Sequence, residues 1–307
     1  MRQITSNILM VRPANFGFNV ETAASNAFQS EDNQLTESEI KARAMAEFDA
    51  FVEKLRASGV QVIVADDTAE PTKPDAVFPN NWVTFHEDGR VVTYPMLSEM
   101  RRLERREDII RQLGERFAVT ERVHFEQFEK SGEILEGTGS LILDRENKIA
   151  YACLSPRTNR ELLDWFCQKM DFEKVAFHAA DGKGQEIYHT NVLMALGLTF
   201  VVICLDTVRD ADERQHLLES FEKTGKEVIE ISLDQMMAFA GNMLQVATQS
   251  GAPVLVMSEQ AYRSLRPDQI ARLEHHNALL HSPLYTIEQF GGGSARCMMA
   301  EVFLREE

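Results

Sequence analysis

The chain has 307 residues, of which 44% are hydrophobic and 26% are charged, a composition typical of a globular protein with a substantial core. Its 32 basic and 48 acidic residues give a formal net charge of −16, which disfavours nucleic acid and anionic lipid surfaces as partners. The sequence has no run of about 18 apolar residues and no recognisable signal peptide, so a membrane protein is excluded and a cytoplasmic one is expected.

Short apolar runs alternate with amphipathic segments along the chain, which predicts one continuous α/β domain over residues 1–307. The capping-box spacing of Thr36 and Glu39 predicts a helix that ends at Gly59. Apolar segments rich in β-branched residues predict strands at 60–64, 140–143, 198–205 and 254–257. Two later capping boxes are predicted at Thr158 with Glu161 and at Ser232 with Gln235.

Similar turns lead into apolar runs at regular intervals along the sequence. They are found at Ser6-Asn7, Asn80-Asn81, Thr138-Gly139, Thr190-Asn191, Gly241-Asn242 and Arg296-Cys297. From Asn81 onward they recur roughly every 50 to 60 residues, an interval typical of propellers and other repeat arrays. Each interval has room for three strands and a helix. In a true repeat the turns would converge on a central axis, although any α/β protein contains some turns of this kind.

The four cysteines include no Cys-x-x-Cys pair and no histidines at zinc-site spacing, so neither a disulfide scaffold nor a metal site is predicted. Cys153, Cys167 and Cys204 lie in apolar segments, where cysteine behaves as a small apolar side chain. Cys297 differs because it follows the glycine-rich segment 291–293, which allows the backbone to approach a ligand closely. We therefore interpret Cys297 as a nucleophile.

A nucleophilic cysteine needs a favoured thiolate and a group that moves protons. The neighbouring Arg296 would favour the thiolate, and His189 is the best placed of eight histidines because it lies at one of the repeated turns. Glu136 supplies a carboxylate at another of these turns. From position alone, a structural histidine and a solvated turn glutamate remain open alternatives.

Together these residues resemble the guanidine-modifying superfamily of arginine deiminases, dimethylarginine dimethylaminohydrolases and amidinotransferases. Segment 291–298 (Gly-Gly-Gly-Ser-Ala-Arg-Cys-Met) resembles its nucleophile segment. His189-Thr-Asn resembles its His-x-Asp element, and Glu136-Gly-Thr-Gly resembles its Glu-Gly-Gly-Asp element. Segment 74–81 resembles the Pro-Asp-x-x-Phe-x-Glu-Asp stretch of the dimethylaminohydrolases, and segment 154–159 resembles their Ser-x-Arg-Thr-Asn segment.

The resemblance implies a five-bladed, pseudo-symmetric α/β propeller whose active site lies on the central axis. It implies a catalytic set without metal or other cofactor: Cys297, His189 and Glu136. It implies substrate contacts from Asp75, Asn80, Asn81, Arg157 and Asn191, with Arg157 gripping an α-carboxylate. Segment 101–104 resembles a further basic segment on the substrate side.

The sequence departs from the superfamily pattern at four positions that carry carboxylates in relatives that bind a guanidinium cation. These positions are Asn80, Asn81, Gly139 and Asn191. A cluster of buried carboxylates needs a counter-cation, whereas amide side chains offer both donors and acceptors to a neutral group. The substitutions therefore predict a ureido group rather than a guanidinium.

The leading hypothesis is a cysteine-dependent hydrolase that converts citrulline, or a similar ureido amino acid, to ornithine, ammonia and carbon dioxide. The main alternative is an arginine deiminase or dimethylarginine-type hydrolase that binds guanidinium through Asp75 and Glu136. An amidinotransferase and a catalytically silent binding propeller are further alternatives. A small amino acid is the expected partner, and a homo-oligomer is left open.

Overall fold

The computed structural model describes residues 1–23, 26, 28–29 and 34–307. Within these residues, fifteen strands form five three-stranded sheets. The strands are β1 (Asn7–Arg12), β2 (Gln61–Asp66), β3 (Val83–Phe85), β4 (Arg90–Thr93), β5 (Glu121–His124), β6 (Ile142–Asp144), β7 (Ile149–Cys153), β8 (Glu173–Phe177), β9 (Met194–Leu196), β10 (Phe200–Ile203), β11 (Glu227–Glu230), β12 (Leu244–Ala247), β13 (Pro253–Ser258), β14 (Ala278–Ser282) and β15 (Ala300–Glu301).

The helices connect and cover these sheets. They are α1 (Val20–Ala23), α2 (Glu37–Ala57), α3 (Glu99–Arg102), α4 (Glu107–Leu113), α5 (Gly137–Ser140), α6 (Arg160–Met170), α7 (Thr190–Leu193), α8 (Ala211–Lys223), α9 (Leu233–Met237), α10 (Glu259–Ser264), α11 (Pro267–His276) and α12 (Tyr285–Gly291). Short 3-10 turns occur at Pro79–Asn81, Glu126–Ser131 and Leu205–Thr207. No helix in the described part of the chain is long and apolar enough to span a bilayer.

All five sheets share one topology, in which the middle strand is antiparallel to the first strand and parallel to the third. Four sheets are continuous in sequence: β3-β4-β5, β6-β7-β8, β9-β10-β11 and β12-β13-β14. In each of them a helical crossover precedes the third strand, as a parallel pair requires. The fifth sheet joins the two ends of the chain, because β1 pairs with β15 on one side and with β2 on the other.

The crossover helices bury one face each. In α6, Leu162, Phe166 and Met170 are four residues apart, so they lie on one face of the helix and are fully buried. They belong to the same apolar cluster as Ala150 and Ala152 of β7. Burial of each large apolar side chain contributes about 1.5–3 kcal/mol, which holds the helix against its sheet.

Two of the three predicted capping boxes are confirmed and one is wrong. Helices α2 and α9 begin after Thr36 and Ser232 with both hydrogen bonds of the box present. Helix α6 is capped instead by Asn159, whose side chain accepts from Leu162 N at 2.9 Å. Thr158 forms bridges with Leu135 and Ser155, so its backbone belongs to the preceding turn.

The predicted strands are found close to their expected positions. In segment 140–143 the strand begins two residues late, at Ile142, because Ser140 ends α5. In segment 198–205 the strand is two residues shorter at each end, at Phe200–Ile203. Cys153, Cys167 and Cys204 are buried, as predicted.

Five turns, here called the junction turns, precede the first strand of each sheet: residues 79–81, 137–140, 190–193, 239–242 and 294–299. Side-chain hydrogen bonds link successive junction turns, from Thr138 to Asn80, from Thr190 to Ser140, from Asn242 to Asn191, and from Arg296 N to Asn242. The approach is close, since a Cβ atom at Gly241 would lie 2.2 Å from Val192 O. Five of the six predicted turns therefore meet, whereas Ser6-Asn7 leads into β1, the middle strand of its sheet. The propeller arrangement itself stays a prediction.

Candidate active site

The predicted nucleophile Cys297 lies in the junction turn that follows α12, and it is 7% exposed. The chain leaves α12 through Gly292, whose φ of 62° is a conformation that glycine adopts without strain. A Cβ atom at Gly293 would lie 2.9 Å from the ring of Phe78, so the chain passes this ring only because the position is glycine. The turn closes with a hydrogen bond from Cys297 N to Ser294 O.

Two neutral amides contact the sulfur of Cys297. The Nδ2 atoms of Asn191 and Asn242 lie 3.4 Å and 3.3 Å from Sγ, and both can donate to it. Arg296, predicted to favour the thiolate, is paired instead with Glu301 at 2.7 Å. The immediate surroundings of the sulfur are therefore amide groups and not a free cation.

His189 and Glu136 form a buried pair with 2.7 Å between Nε2 and Oε2. Burial alone would raise the pKa of Glu136, but Arg157, 3.6 Å from Oε2, and His189 outweigh it and hold the pKa well below its usual range. The other oxygen, Oε1, accepts from Leu97 N at 3.0 Å. Glu136 is thus an ionised carboxylate whose two oxygens are both engaged.

Burial lowers the pKa of His189 to about 4, although Glu136 partly opposes this shift. At neutral pH the imidazole is neutral, and a proton on Nε2 fits its contact with the Glu136 carboxylate. Nδ1 is then the ring nitrogen that remains for accepting a proton. The pair has the arrangement of a general base oriented by a carboxylate.

Tyr188 connects this pair to the nucleophile loop. Its ring lies 4.8 Å from the Arg157 guanidinium carbon and 4.8 Å from the ring of His189. Its hydroxyl donates to Gly292 O at 2.8 Å, five residues before Cys297. One side chain therefore contacts both predicted catalytic segments.

A second charged cluster surrounds Asp75. Its Oδ2 accepts from Asn19 Nδ2 at 2.7 Å and lies 3.7 Å from Arg101 Nε. Arg101 also makes two hydrogen bonds of 2.9 Å to Glu104. Burial raises the pKa of Asp75, and it raises that of Glu104 to about 7 although Arg101 opposes it. Arg101 is therefore the counter-charge for both Asp75 and Glu104.

The predicted substrate-binding residues carry several buried polar atoms without hydrogen-bond partners. Among the residues that the structure describes, these include Oδ1 of Asp75, Asn80 and Asn191 and Nδ2 of Asn81. Buried polar atoms of native proteins are normally satisfied, so a group of them is typical of a site that binds a polar ligand. Three of the four belong to amides, which keeps the charge of this set low.

Gly139 is required where Asn81 and His189 approach each other. A Cβ atom there would lie 2.3 Å from Asn81 Nδ2 and 2.7 Å from His189 Cε1. A carboxylate, which the superfamily pattern has at this position, does not fit without movement of both neighbours.

The structure brings Glu136, His189 and Arg157 into one cluster, and it places Asn191, two residues after His189, in contact with Cys297. The second junction turn connects Asn80 and Asn81 to this cluster. Sequence reasoning missed Asn242 and Tyr188 as site residues, whereas Arg101 lies in segment 101–104, which the resemblance had placed on the substrate side. The signal for Asn242 was present, because it occupies the same place in the repeated turn pattern as Asn191. The described residues contain no cluster of three side chains able to hold a metal ion.

The match of a family model places the chain in the guanidine-modifying, amidinotransferase-like superfamily, and the five-sheet fold agrees with it. Within it, the chain belongs to the family described as N,N dimethylarginine dimethylhydrolase, eukaryotic, whose model matches residues 12–304. This membership groups the chain with hydrolases of C–N bonds. No curated protein shows significant sequence similarity to the chain.

Solved structures with the same fold include the product-bound N-terminal domain of ArgZ, an arginine dihydrolase from the ornithine-ammonia cycle in Cyanobacteria. It is 18% identical, with a TM-score of 0.73 over 97% of this chain and 99% of that chain. A dimethylarginine dimethylaminohydrolase variant carrying an S-methyl-L-thiocitrulline adduct is 16% identical, with a TM-score of 0.67 over 97% and 99%.

A third similar structure is AgrE in complex with ornithine and NAD+, which is 17% identical with a TM-score of 0.74. The match covers 97% of this chain but 39% of that chain, so AgrE is much longer. At these identities the structural similarity shows the shared fold.

Proposed function

We propose that this chain is a cysteine-dependent hydrolase that cleaves a C–N bond at the ureido or guanidino carbon of a free amino acid. The observation that carries the proposal is the contact of Cys297 Sγ with two amide donors. One of them, Asn191, follows by two residues the His189 of the buried His189–Glu136 pair. A nucleophile, a base and an orienting carboxylate are the parts that covalent acyl-type transfer needs.

For the substrate, the amide-lined site favours a neutral ureido group such as that of citrulline. The unpartnered Oδ1 atoms of Asn80 and Asn191 are acceptors for ureido N–H groups, and Asn81 Nδ2 is a donor for the ureido oxygen. Asp75 Oδ1 offers a further acceptor, and Arg157 is the proposed partner of the α-carboxylate. Glu136, engaged at both oxygens, orients His189 and does not hold the substrate.

In the first half-reaction, His189 takes the proton of the Cys297 thiol and the thiolate forms an S–C bond to the ureido carbon. The imidazolium then gives this proton to the substrate δ-nitrogen as the C–N bond breaks. Ornithine leaves, and the enzyme keeps an S-carbamoyl group. Nearby amide donors stabilise the negative charge that develops on the ureido oxygen.

In the second half-reaction, His189 takes a proton from water while the hydroxide adds to the carbamoyl carbon. The S–C bond breaks, and His189 returns the proton to the leaving thiolate. The released carbamic acid decomposes to ammonia and carbon dioxide. One water molecule is consumed and Cys297 is regenerated.

The second candidate is hydrolysis of a cationic guanidino group, and the comparisons favour it over the ureido group. The family description names dimethylarginine, and ArgZ is an arginine dihydrolase. In the site itself, the carboxylate oxygen Oδ1 of Asp75 supports a cation. The same nucleophile would attack the guanidinium carbon, release ammonia or an alkylamine, and yield citrulline after addition of water.

We further propose that the five sheets and their helices form a single pseudo-fivefold α/β propeller over residues 1–307, with the site near its axis. The linked junction turns and the pairing of β15 with β1 support this arrangement. The predicted site residues lie on or beside these turns.

The test is incubation of the protein with citrulline, arginine and N-methylated arginines, with products identified by mass spectrometry and Cys297→Ala as the control. Ornithine from citrulline, with arginine unchanged, supports the ureido candidate. Citrulline from an arginine supports the guanidino candidate, and ornithine from arginine through transient citrulline supports both. A Cys297→Ser variant with the wild-type rate would overturn covalent catalysis.

A further inference from the structure

We propose that Asn242 is a catalytic residue whose amide N–H stabilises the Cys297 thiolate. The inference rests on the proposed function only in taking Cys297 as the nucleophile. The sulfur is a reacting atom, and Asn242 Nδ2 lies 3.3 Å from it. Arg296, the cation next to Cys297 in the sequence, is bound to Glu301 instead of the sulfur. A hydrogen bond to the thiolate favours the thiolate over the thiol, so an amide donor can supply part of the effect of a cation.

The neighbours of Asn242 determine which way its amide points. The backbone N–H of Arg296 donates to one end at 3.0 Å, so that end must be the oxygen Oδ1. The other end lies 2.9 Å from the carbonyl oxygen of Asn191, so it must be the nitrogen. Of the two Nδ2 hydrogens, one serves Asn191 O and the second is available to Cys297 Sγ. The Cys297 thiol also donates to Oδ1 at 3.7 Å, a hydrogen bond that a thiolate cannot make.

The backbone holds Asn242 rigidly in this orientation. Asn242 N donates to Phe239 O at 2.8 Å, and Phe239 has a φ of 63°, which closes the turn tightly. The preceding Gly241 packs against Val192 O so closely that no side chain fits there. With 1% of its surface exposed, Asn242 is a preorganised donor.

Asn191 and Asn242 differ in what remains free. Both Oδ1 and Nδ2 of Asn242 have partners within the protein, whereas Oδ1 of Asn191 is buried without one. We therefore assign stabilisation of the Cys297 thiolate to Asn242. Asn191 can contact both the sulfur and the substrate. These separate roles agree with the position of Asn242, which contacts the sulfur from a junction turn on which no substrate-binding residue was predicted.

The experiment measures the rate of iodoacetamide alkylation of Cys297 against pH, with peptide mass spectrometry locating the modification. Asn242→Asp keeps the acceptor for Arg296 N but replaces the donor with an oxygen. We expect its alkylation rate near neutral pH to fall about tenfold and the midpoint of the pH profile to rise by about one unit. Asn277→Asp changes a buried amide bonded to Leu273 O, away from the sulfur, and should leave the profile unchanged.

An Asn242→Asp protein that is folded and alkylated with the wild-type profile would overturn the proposal, even if its turnover is reduced. If Asn242→Asp does not fold, Asn242→Ser is measured below its melting temperature and should show the same direction of shift. Alkylation does not require a substrate. A wild-type protein that hydrolyses none of the tested amino acids would therefore count against the proposed function and not against the role of Asn242.

Discussion

At the scale of single residues, the predicted site has amides at positions where the superfamily pattern has carboxylates. Asn80, Asn81 and Asn191 each present a buried polar atom that has no hydrogen-bond partner among the residues the structure describes. The sequence alone predicts less negative charge at these positions, because each replacement of an acid by an amide removes one charge. Which atoms remain free was not readable, since it depends on contacts made across three junction turns.

Asn191→Asp should move substrate preference toward a cation. A carboxylate here would gain the attraction of a guanidinium and lose a donor to Cys297 Sγ. We expect the ratio of kcat/KM for arginine over citrulline to rise at least about tenfold, while total activity falls. Steady-state kinetics with both substrates measures this ratio, and Asn277→Asp is the control. An unchanged ratio would mean that charge at this position does not select the substrate.

Gly139→Ala should inactivate the protein without unfolding it. The new methyl group would meet Asn81 Nδ2 and the His189 ring at less than 3 Å, so both must move. Because catalytic geometry is sensitive to small displacements, we expect kcat to fall about 100-fold with a smaller effect on Tm. Gly182→Ala is the matched control, since its Cβ atom would have only Leu233 as a neighbour, at 3.6 Å. Similar losses in both variants would contradict the steric explanation.

At the scale of elements, α12 contains a buried acid that anchors the nucleophile loop. Oε1 of Glu288 accepts from Ser294 Oγ at 2.6 Å, three residues before Cys297. Burial raises the pKa of Glu288 to about 7, and repulsion by Glu47 of α2 adds to this shift. Glu47 itself accepts from the N–H groups of Thr286 and Ile287 at the start of α12. Glu288 therefore binds the nucleophile loop, and Glu47 binds the start of the helix that precedes it.

Glu288→Gln should reduce the loss of stability with rising pH. The unfolded carboxyl ionises near its ordinary pKa, whereas the folded one keeps its proton to about pH 7, so folding stability falls between these values. The amide keeps an acceptor for Ser294 Oγ and cannot ionise. Between pH 5 and pH 8, we expect the free energy of unfolding of the wild type to fall by up to about 3 kcal/mol more than that of the variant.

Denaturant titrations at several pH values measure this difference. Parallel pH dependences for wild type and Glu288→Gln would show that Glu288 is ionised in the folded protein throughout this range. Ser294→Ala separates the hydrogen bond from the ionisation, because it should lower stability at every pH.

At the scale of the whole molecule, one sheet joins strands from the two ends of the chain. Strand β15 pairs with β1, and Thr5 Oγ1 donates to Val302 O at 2.9 Å. Val302, Phe303 and Leu304 are no more than 2% exposed. Strand β15 and the three residues that follow it therefore carry part of the core.

Deletion of residues 300–307 should abolish cooperative unfolding. Burial of three large apolar side chains contributes about 4.5–9 kcal/mol, which is comparable to the total stability of a typical domain. Deletion of 305–307 alone removes exposed residues and should lower Tm by only a few degrees. Circular dichroism melts compare the two, and a cooperative melt of the longer deletion would contradict the role assigned to β15.

The sequence by itself determined the α/β class, the helix start at Thr36, the repeat interval of the junction turns and the chemical types of the predicted site residues. These features depend on local periodicity, on capping residues and on side-chain chemistry, all of which are written within short segments. Only the tertiary structure decided that Arg296 pairs with Glu301 and that Asn242 contacts Cys297 Sγ. Those partnerships join residues from separate turns, and packing alone determines which of several chemically suitable groups comes within hydrogen-bonding distance.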